Sequence, residues 1–166
     1  MSARALERIV DRAEVPAVVD GWRRSGERVV VCGGVFDLLH VGHARNLDAA
    51  RTLGDRLVVL VHGDETAATR EGPGRPVMCS EDRAALVAAL RAVDLVVLVK
   101  DSTVNDLLRE LGPAIHVRGV EAGISEAPGR DAVTGSGPEG VLEVESGNRA
   151  SRELVLRVRQ RYAGRS

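Results

Sequence analysis

Apolar residues in this chain follow two alternating patterns, short continuous runs and helical spacing. Continuous β-branched runs such as "RVVVC", "RLVVLV" and "DLVVLV" are typical of strands buried on both faces of a sheet. Between these runs, apolar positions recur every three or four residues, as amphipathic helices require. Strands that alternate with helices predict a Rossmann-like, doubly wound parallel sheet in a single three-layer α/β/α domain.

The same patterns predict the approximate position of each element. The predicted helices cover residues 15–26, 42–53, 80–91, 102–111 and 152–162, and Gly54 is expected to cap the second of them. The predicted strands cover residues 28–36, 56–63, 94–99, 114–119 and 140–146. Residues 121–139 lack periodicity and are expected to form a mobile loop. We expect an N-terminal helical segment over residues 1–27, followed by the main domain over residues 28–166.

Composition and charge narrow the classes of partner. The net charge of −1 provides no basic field, so we expect no nucleic acid and no membrane surface as partner. Two cysteines are too few for a disulfide framework, and the charged N-terminal residues do not resemble a signal peptide, so we expect a cytoplasmic protein. Lys100 is the only lysine. We therefore expect any side-chain contact to a phosphate that needs a cation or a ring N–H to come from arginine or histidine.

The stretch "GGVFDLLHVGH", residues 33–43, contains two of the four histidines. It follows the first predicted strand of the main domain and leads into a helix, and ligands of doubly wound sheets bind at that position. His40 and His43 flank Gly42 at the start of the helix, where free N–H groups and the helix dipole attract anions. The arrangement favours a phosphate site with two imidazole donors.

Other roles for these residues stay open on spacing alone. An isolated histidine in such a loop is usually structural, and a histidine pair is also compatible with zinc. Zinc would require a further ligand at defined spacing, and the motif lacks the glutamate of a zincin helix. Asp37 is expected either to cap the turn or to ligate a metal, and capping is the commoner role.

The motif resembles the HxGH signature of the nucleotidyltransferase superfamily, in its cytidylyltransferase-like branch. The strand, the "GVFD" turn and the following "LDAARTLGDRLVVLVHGDE" occur in the order found in that branch. The segments "GWRRSGERVVV" and "GPGRPVMCSEDRAALVAALRAVDLVV" are most similar to bacterial heptose 1-phosphate adenylyltransferases. The resemblance is good over residues 15–99 and weak afterwards.

The resemblance implies transfer of a nucleotide from an NTP to a small phosphorylated acceptor, with release of pyrophosphate. His40 and His43 are then the catalytic residues, and Mg²⁺ is held by phosphates without direct protein ligands. The nucleotide-binding residues implied by the resemblance are Gly34, Val35, Phe36, Asp37, Gly42, Arg51, Arg118, Gly119, Glu121 and Ser151. The acceptor-binding residues implied in the same way are Asp64, Arg75 and Arg83. The resemblance also implies a homodimer.

Several of these positions have a purely structural alternative. Arg51 is equally expected as a solvated helix charge, Asp64 as a helix N-cap and Arg75 as an exposed loop residue. The family's "VKGGDY" and "STT" segments are replaced here by "VRGVEAG" and "NRASRE". The substrates therefore stay open between ATP with a sugar 1-phosphate and CTP with a polyol phosphate or phosphonate. A non-catalytic nucleotide-binding protein is the third alternative.

Overall fold

All the strands that the computed structural model describes lie in one parallel sheet; the described residues are 3–113, 115–120 and 141–145. The strands are β1 (Ile9–Val10), β2 (Val29–Gly34), β3 (Arg56–His62), β4 (Leu95–Val99), β5 (Ile115–Val120) and β6 (Val141–Glu145), in the spatial order β1-β4-β3-β2-β5-β6. The helices are α1 (Ala3–Leu6), α2 (Val15–Arg24), α3 (Val41–Arg51), α4 (Asp64–Glu71), α5 (Ser80–Ala88) and α6 (Asp101–Leu111). Among these helices, none has both the length and the apolar character of a membrane span.

The buried residues of the central strands point alternately to two separate hydrophobic cores. In β2, Val29 and Val31 pack with α2 and α6, whereas Val30 and Cys32 pack with α3 and α5. The same alternation holds in β3, where Leu60 faces the first core. Because successive strand residues face opposite sides, a strand of continuous apolar residues requires a helical layer on each face. The three-layer α/β/α prediction is confirmed.

The strand order reverses beside β2. The chain moves from β2 to β3 and β4 on one side, then crosses to place β5 and β6 on the other side. Gly33 near the end of β2 is in register with Arg118 near the end of β5. In open parallel sheets, the crevice at the carboxyl ends of two such strands is the place where ligands bind.

The N-terminal segment is not purely helical as the sequence suggested. Ile9 and Val10 pair with β4 as an edge strand of the sheet. Arg8 supports this edge, since its Nη1 donates to the carbonyls of Ala88, Leu90 and Val93. A strand of two residues is too short to produce a periodic signal, so the hydrophobic pattern did not reveal it.

Most predicted elements are present, with shifted ends. Helix α5 begins at Ser80 as predicted but ends at Ala88, and α6 begins after Lys100 and not at Ser102 or Thr103. Helix α4 was not predicted, because Ala67 is its only buried residue and alanine spacing is a weak amphipathic signal. The predicted loop at 121–139 and the predicted helix at 152–162 lie outside the described residues.

Gly54 has a different role from the predicted helix cap. Helix α3 ends at Arg51, and Thr52 occupies the C-cap in the right-handed region. A Cβ at Gly54 would lie 2.7 Å from Val30 Cγ2 and 2.8 Å from the Arg28 carbonyl oxygen. Glycine is needed here because the chain passes against the start of β2 with no room for a side chain.

Replacing Gly54 tests this close approach. We expect Gly54→Ala to destabilise the protein by about 1 to 3 kcal/mol, because the contacting backbone atom cannot move as a flexible side chain could. Gly21→Ala is the matched control, since Gly21 lies in α2 and a Cβ there would meet nothing within 4 Å, and we expect it to stabilise by about 0.5 to 1 kcal/mol. Urea unfolding measures both changes, and equal effects of the two variants would contradict the steric explanation.

Candidate functional site

The turn after β2 has an unusual backbone conformation. Phe36 and Leu38 adopt φ values of +57° and +50°, a left-handed region that residues other than glycine rarely occupy. The Phe36 ring folds back over Gly34, where a Cβ would lie 2.9 Å from two ring carbons. A side chain at position 34 would therefore require the Phe36 ring to shift. At Gly33, the nearest atom to such a Cβ is His62 Nε2, at 3.9 Å, so Gly33 is the more open of the two glycines.

The two motif histidines cap helix α3 reciprocally. His40 is the N-cap residue, and its Nδ1 accepts a hydrogen bond from the Gly42 N–H at 3.0 Å. His43 Nδ1 accepts from the His40 N–H at 3.4 Å. This is a capping box in which imidazole nitrogens take the place of the usual hydroxyl and carboxylate oxygens.

The reciprocal cap determines the tautomer of both rings. A ring nitrogen that accepts a hydrogen bond carries no proton, so each neutral imidazole has its proton on Nε2. The His40 and His43 rings stack with their centroids 4.0 Å apart, and the Phe36 ring meets His43 edge to face. His40 Nε2 is buried and has no hydrogen-bond partner in the described part of the chain. The site therefore presents Nε2–H donors at the N-terminus of a helix.

Burial keeps this histidine pair neutral. It lowers the pKa of His40, and it lowers the pKa of His43 to about 4. The neighbouring His40 lowers the pKa of His43 further, while Asp37 opposes the shift. At neutral pH both rings act as uncharged donors.

Asp37 binds a neighbouring loop and does not cap its own turn. Its buried carboxylate accepts from the backbone N–H groups of Val77 and Met78, at 3.0 and 3.1 Å. Arg75 Nε lies 3.1 Å from the same carboxylate, and Arg75 also pairs with Glu71 at 3.7 Å. Asp37 and Arg75 thus form an internal clasp between the turn and the loop. Their predicted contacts with nucleotide and acceptor stay predictions.

Arg83 is completely buried beneath the same turn. Its guanidinium donates to the carbonyl oxygens of Val35 and Met78, and to Asp64 Oδ1 at 2.6 Å. The Arg83 side chain has no exposed surface, whereas that of Asp64 is 46% exposed. Arg83 thus lies near the start of α5 as predicted, and its guanidinium is engaged by three groups of the protein itself. Its predicted acceptor contact stays a prediction. Asp64 is the first residue of α4, after the N-cap Gly63, so it is not the predicted cap.

Arg51 lies at the end of α3 opposite to the two histidines, and its predicted nucleotide contact stays a prediction. Helix α3 runs from the site toward the amino end of β4, which Asp94 precedes, and Arg51 lies eight positions after His43, about 12 Å along the helix. Arg51 Nε lies 3.3 Å from Asp94 Oδ2, and its Nη1 donates to the Gly54 carbonyl. This position is close to the structural alternative, in which Arg51 is a charged residue on the helix surface. In addition, Arg51 forms an ion pair with Asp94.

The remaining predicted contacts lie at the end of β5 or beyond it. The backbone of Arg118 and Gly119 continues β5 beside β2 and β6 at the predicted crevice. Glu121 and Ser151 lie outside the described residues.

The site residues that sequence reasoning missed are Glu71, Val77 and Met78, which contact Arg75 or Asp37. Only Glu71 left a signal, an acidic residue four positions before Arg75.

Comparison with known proteins identifies similar chains. The model of the family described as cytidylyltransferase-like matches residues 31–143. A protein named Bifunctional protein HldE from Koribacter versatilis is 40% identical over 129 residues, which are 78% of this chain and 26% of that protein. The protein of the same name from Aeromonas hydrophila is 40% identical over 154 residues, 92% of this chain and 32% of its own length. This chain thus spans a third or less of these relatives.

Two solved structures have a similar fold. The lipopolysaccharide core biosynthesis protein from Thermoplasma volcanium is 29% identical with a TM-score of 0.61, and the match covers 72% of this chain and 97% of that one. Pantoate-beta-alanine ligase from Francisella tularensis, in complex with beta-gamma ATP and beta-alanine, is 10% identical with a TM-score of 0.56. That match covers 86% of this chain and 68% of the ligase, and at this identity it shows the fold alone.

The buried neutral His43 makes stability depend on pH. Because its pKa is lowered to about 4 in the folded protein from an ordinary value of 6.5, its stabilising effect is complete above pH 6.5 and is lost as the pH falls toward 4. Between pH 7 and pH 4.5 we expect the wild type to lose roughly 2 kcal/mol more than His43→Asn. Asparagine keeps an acceptor for the His40 N–H but does not titrate. Urea unfolding at both pH values measures the difference, and parallel losses would show that His43 is not buried as a neutral ring.

Proposed function

Because the chain belongs to the cytidylyltransferase-like family, we propose that it is a nucleotidyltransferase acting on a small phosphorylated substrate. It transfers NMP from an NTP, preferably ATP, to a sugar 1-phosphate such as a heptose 1-phosphate, and releases pyrophosphate. The observation that carries the proposal is the neutral histidine pair, whose Nε2–H groups stand at the N-terminus of α3 beside the crevice between β2 and β5.

The chemistry of the histidine pair suits a phosphate nucleophile. An oxygen of the acceptor phosphate attacks the α-phosphorus in line, the bond to the β-phosphate oxygen breaks, and pyrophosphate leaves. This oxygen is already anionic near neutral pH, so no general base is needed. The basic Nδ1 of each histidine is already an acceptor in the helix cap and is not available to take a proton. Donors that keep their protons and stabilise developing negative charge are sufficient for this reaction.

The residues present fit magnesium that arrives with the nucleotide. Within the described ranges no three histidine, cysteine or acidic side chains form a metal-binding group. The Asp37 carboxylate is engaged by backbone N–H groups and Arg75. Mg²⁺ commonly keeps substrate phosphates and water as most of its ligands, and when bound it would neutralise part of the triphosphate charge. The protein then contributes the helix N-terminus and the two histidines.

The relatives support the acceptor class of this proposal. Relatives named HldE, and a structural neighbour described as a lipopolysaccharide core biosynthesis protein, support a sugar phosphate as acceptor. The resemblance of residues 15–99 to heptose 1-phosphate adenylyltransferases supports ATP as donor. By the same likeness we propose a homodimer. We also propose that it works in the cytoplasm, where its two free cysteines stay reduced.

A screen for pyrophosphate release tests the proposed function. Each of the four NTPs is incubated with Mg²⁺, the protein and one acceptor from a panel of sugar 1-phosphates, polyol phosphates and phosphonates. We expect release with ATP and a sugar 1-phosphate, and none when Mg²⁺ is removed by EDTA. Turnover with CTP and a polyol phosphate would instead assign a cytidylyltransferase. Nucleotide binding by calorimetry without turnover on the whole panel would contradict an enzymatic role.

A single substitution separates the capping role of His40 from its donor role. Asparagine is a preferred N-cap residue and can accept the Gly42 N–H, but it does not place a donor at the position of Nε2. We expect His40→Asn to fold with an unfolding free energy within about 1 kcal/mol of wild type. Its kcat should fall on the order of a hundredfold, as for the loss of one transition-state donor.

Steady-state kinetics and urea unfolding of the same preparation provide the comparison for His40→Asn. An active variant would show that the His40 donor does not contribute to catalysis. An unfolded variant would show that the ring is needed mainly for structure.

A further inference from the structure

Four segments meet at the buried guanidinium of Arg83. The side chain extends from α5 and donates to the Val35 carbonyl in the turn after β2 and to the Met78 carbonyl in the loop before α5. Its third contact is Asp64 at the start of α4. One side chain thus connects the turn that precedes the histidines with the structure surrounding it.

The turn that Arg83 holds is conformationally unfavourable. Phe36 and Leu38 are both in the left-handed region of backbone conformation, which residues other than glycine, asparagine and aspartate rarely adopt. Such a conformation persists only where the surrounding contacts maintain it. Arg83 donates to the carbonyl of Val35, the residue just before Phe36. Asp37, which lies between the two left-handed residues, accepts from the backbone N–H groups of Val77 and Met78 in the neighbouring loop.

The geometry of the turn is passed directly to the histidines. His40 follows Leu38 by two residues, and its backbone N–H is the donor that holds His43 Nδ1. A rotation of the turn would move this N–H away from His43 and would release the constraint that places the proton on Nε2. The tautomer of His43 therefore depends on the conformation of residues 35–38, and the His40 ring is attached to the same stretch of backbone.

We propose that Arg83 is a positioning residue, which holds the Val35–Leu38 turn so that His40 and His43 keep their Nε2–H donors in place. It acts through the turn and does not touch the acceptor. The kinetic part of this inference rests on the proposed nucleotidyltransferase function, whereas the structural part concerns the histidine tautomers and can be measured without substrate.

Arg83→Met is the informative substitution, and Arg8→Met is its matched control. Methionine fills a similar volume without charge, and the exposed Asp64 carboxylate remains solvated when its partner is lost, so no charge is left buried. Arg8 likewise donates to three groups, all backbone carbonyls, but it lies at the opposite end of α5. Arg83→Lys keeps the charge and can restore part of the hydrogen bonding, which makes it the conservative variant and a second test should Arg83→Met not fold.

The first readout is the tautomer of each histidine in long-range ¹H–¹⁵N NMR spectra at pH 7.5, assigned with His40→Asn and His43→Asn. We expect pure Nε2–H signals for His40 and His43 in the wild type and in Arg8→Met. In Arg83→Met these signals should shift toward a mixture of tautomers, with a smaller shift in Arg83→Lys. Wild-type histidine signals in a folded Arg83→Met, or in a folded Arg83→Lys if Arg83→Met does not fold, would overturn the inference.

The second readout is the division of the kinetic effect between kcat and KM. Misplaced donors should lower kcat on the order of 10- to 100-fold and leave the KM for the acceptor within about twofold of wild type. A raised KM for the acceptor with unchanged kcat would overturn the inference, because Arg83 would then bind the acceptor. Absence of turnover in the wild type would reject the proposed function, and the NMR result would still decide the role of Arg83.

Discussion

The reciprocal cap between His40 and His43 is the interaction on which the site depends. A helix that begins at the end of a buried strand must satisfy its first N–H groups, and here two imidazole Nδ1 atoms accept hydrogen bonds from backbone N–H groups, one of them at the start of the helix. The same hydrogen bonds place both ring protons on Nε2, and burial keeps the rings neutral. Helix capping and donor placement are therefore one arrangement, and neither histidine can change its tautomer without weakening the start of α3.

Charged and neutral groups around this cap have different partners. The buried charges of Asp37, Arg75 and Arg83 are engaged within the protein, where they join the turn after β2 to the loop before α5. Among the described residues at the start of α3, the donors are uncharged N–H groups, supplemented by the helix dipole. In the proposed reaction such a preorganised set of donors would need no rearrangement as charge develops, and the enclosing clasp would keep it rigid.

Local patterns were sufficient for most of the fold. Continuous apolar strands buried on both faces can only be accommodated between two helical layers, so the sequence runs around Val30, Val59 and Val97 predicted the parallel sheet correctly. The elements that escaped prediction, β1 and α4, are short or lined by alanine and owe their stability to tertiary pairing. Gly54 was predicted as a cap from its position after a helix, but the backbone of Arg28 passing beside it is what requires glycine.

The sequence by itself determined that two histidines stand at the start of a helix behind a central strand, because the motif and the strand that precedes it are contiguous. Tertiary structure alone decided which charged side chains reach that site. Arg51 is close to the motif in sequence but leaves along α3 toward Asp94, whereas Arg83 is forty residues from His43 and returns beneath the turn. The orientation of a helix and the burial of a guanidinium depend on the packing of distant segments, and no local pattern encodes that packing.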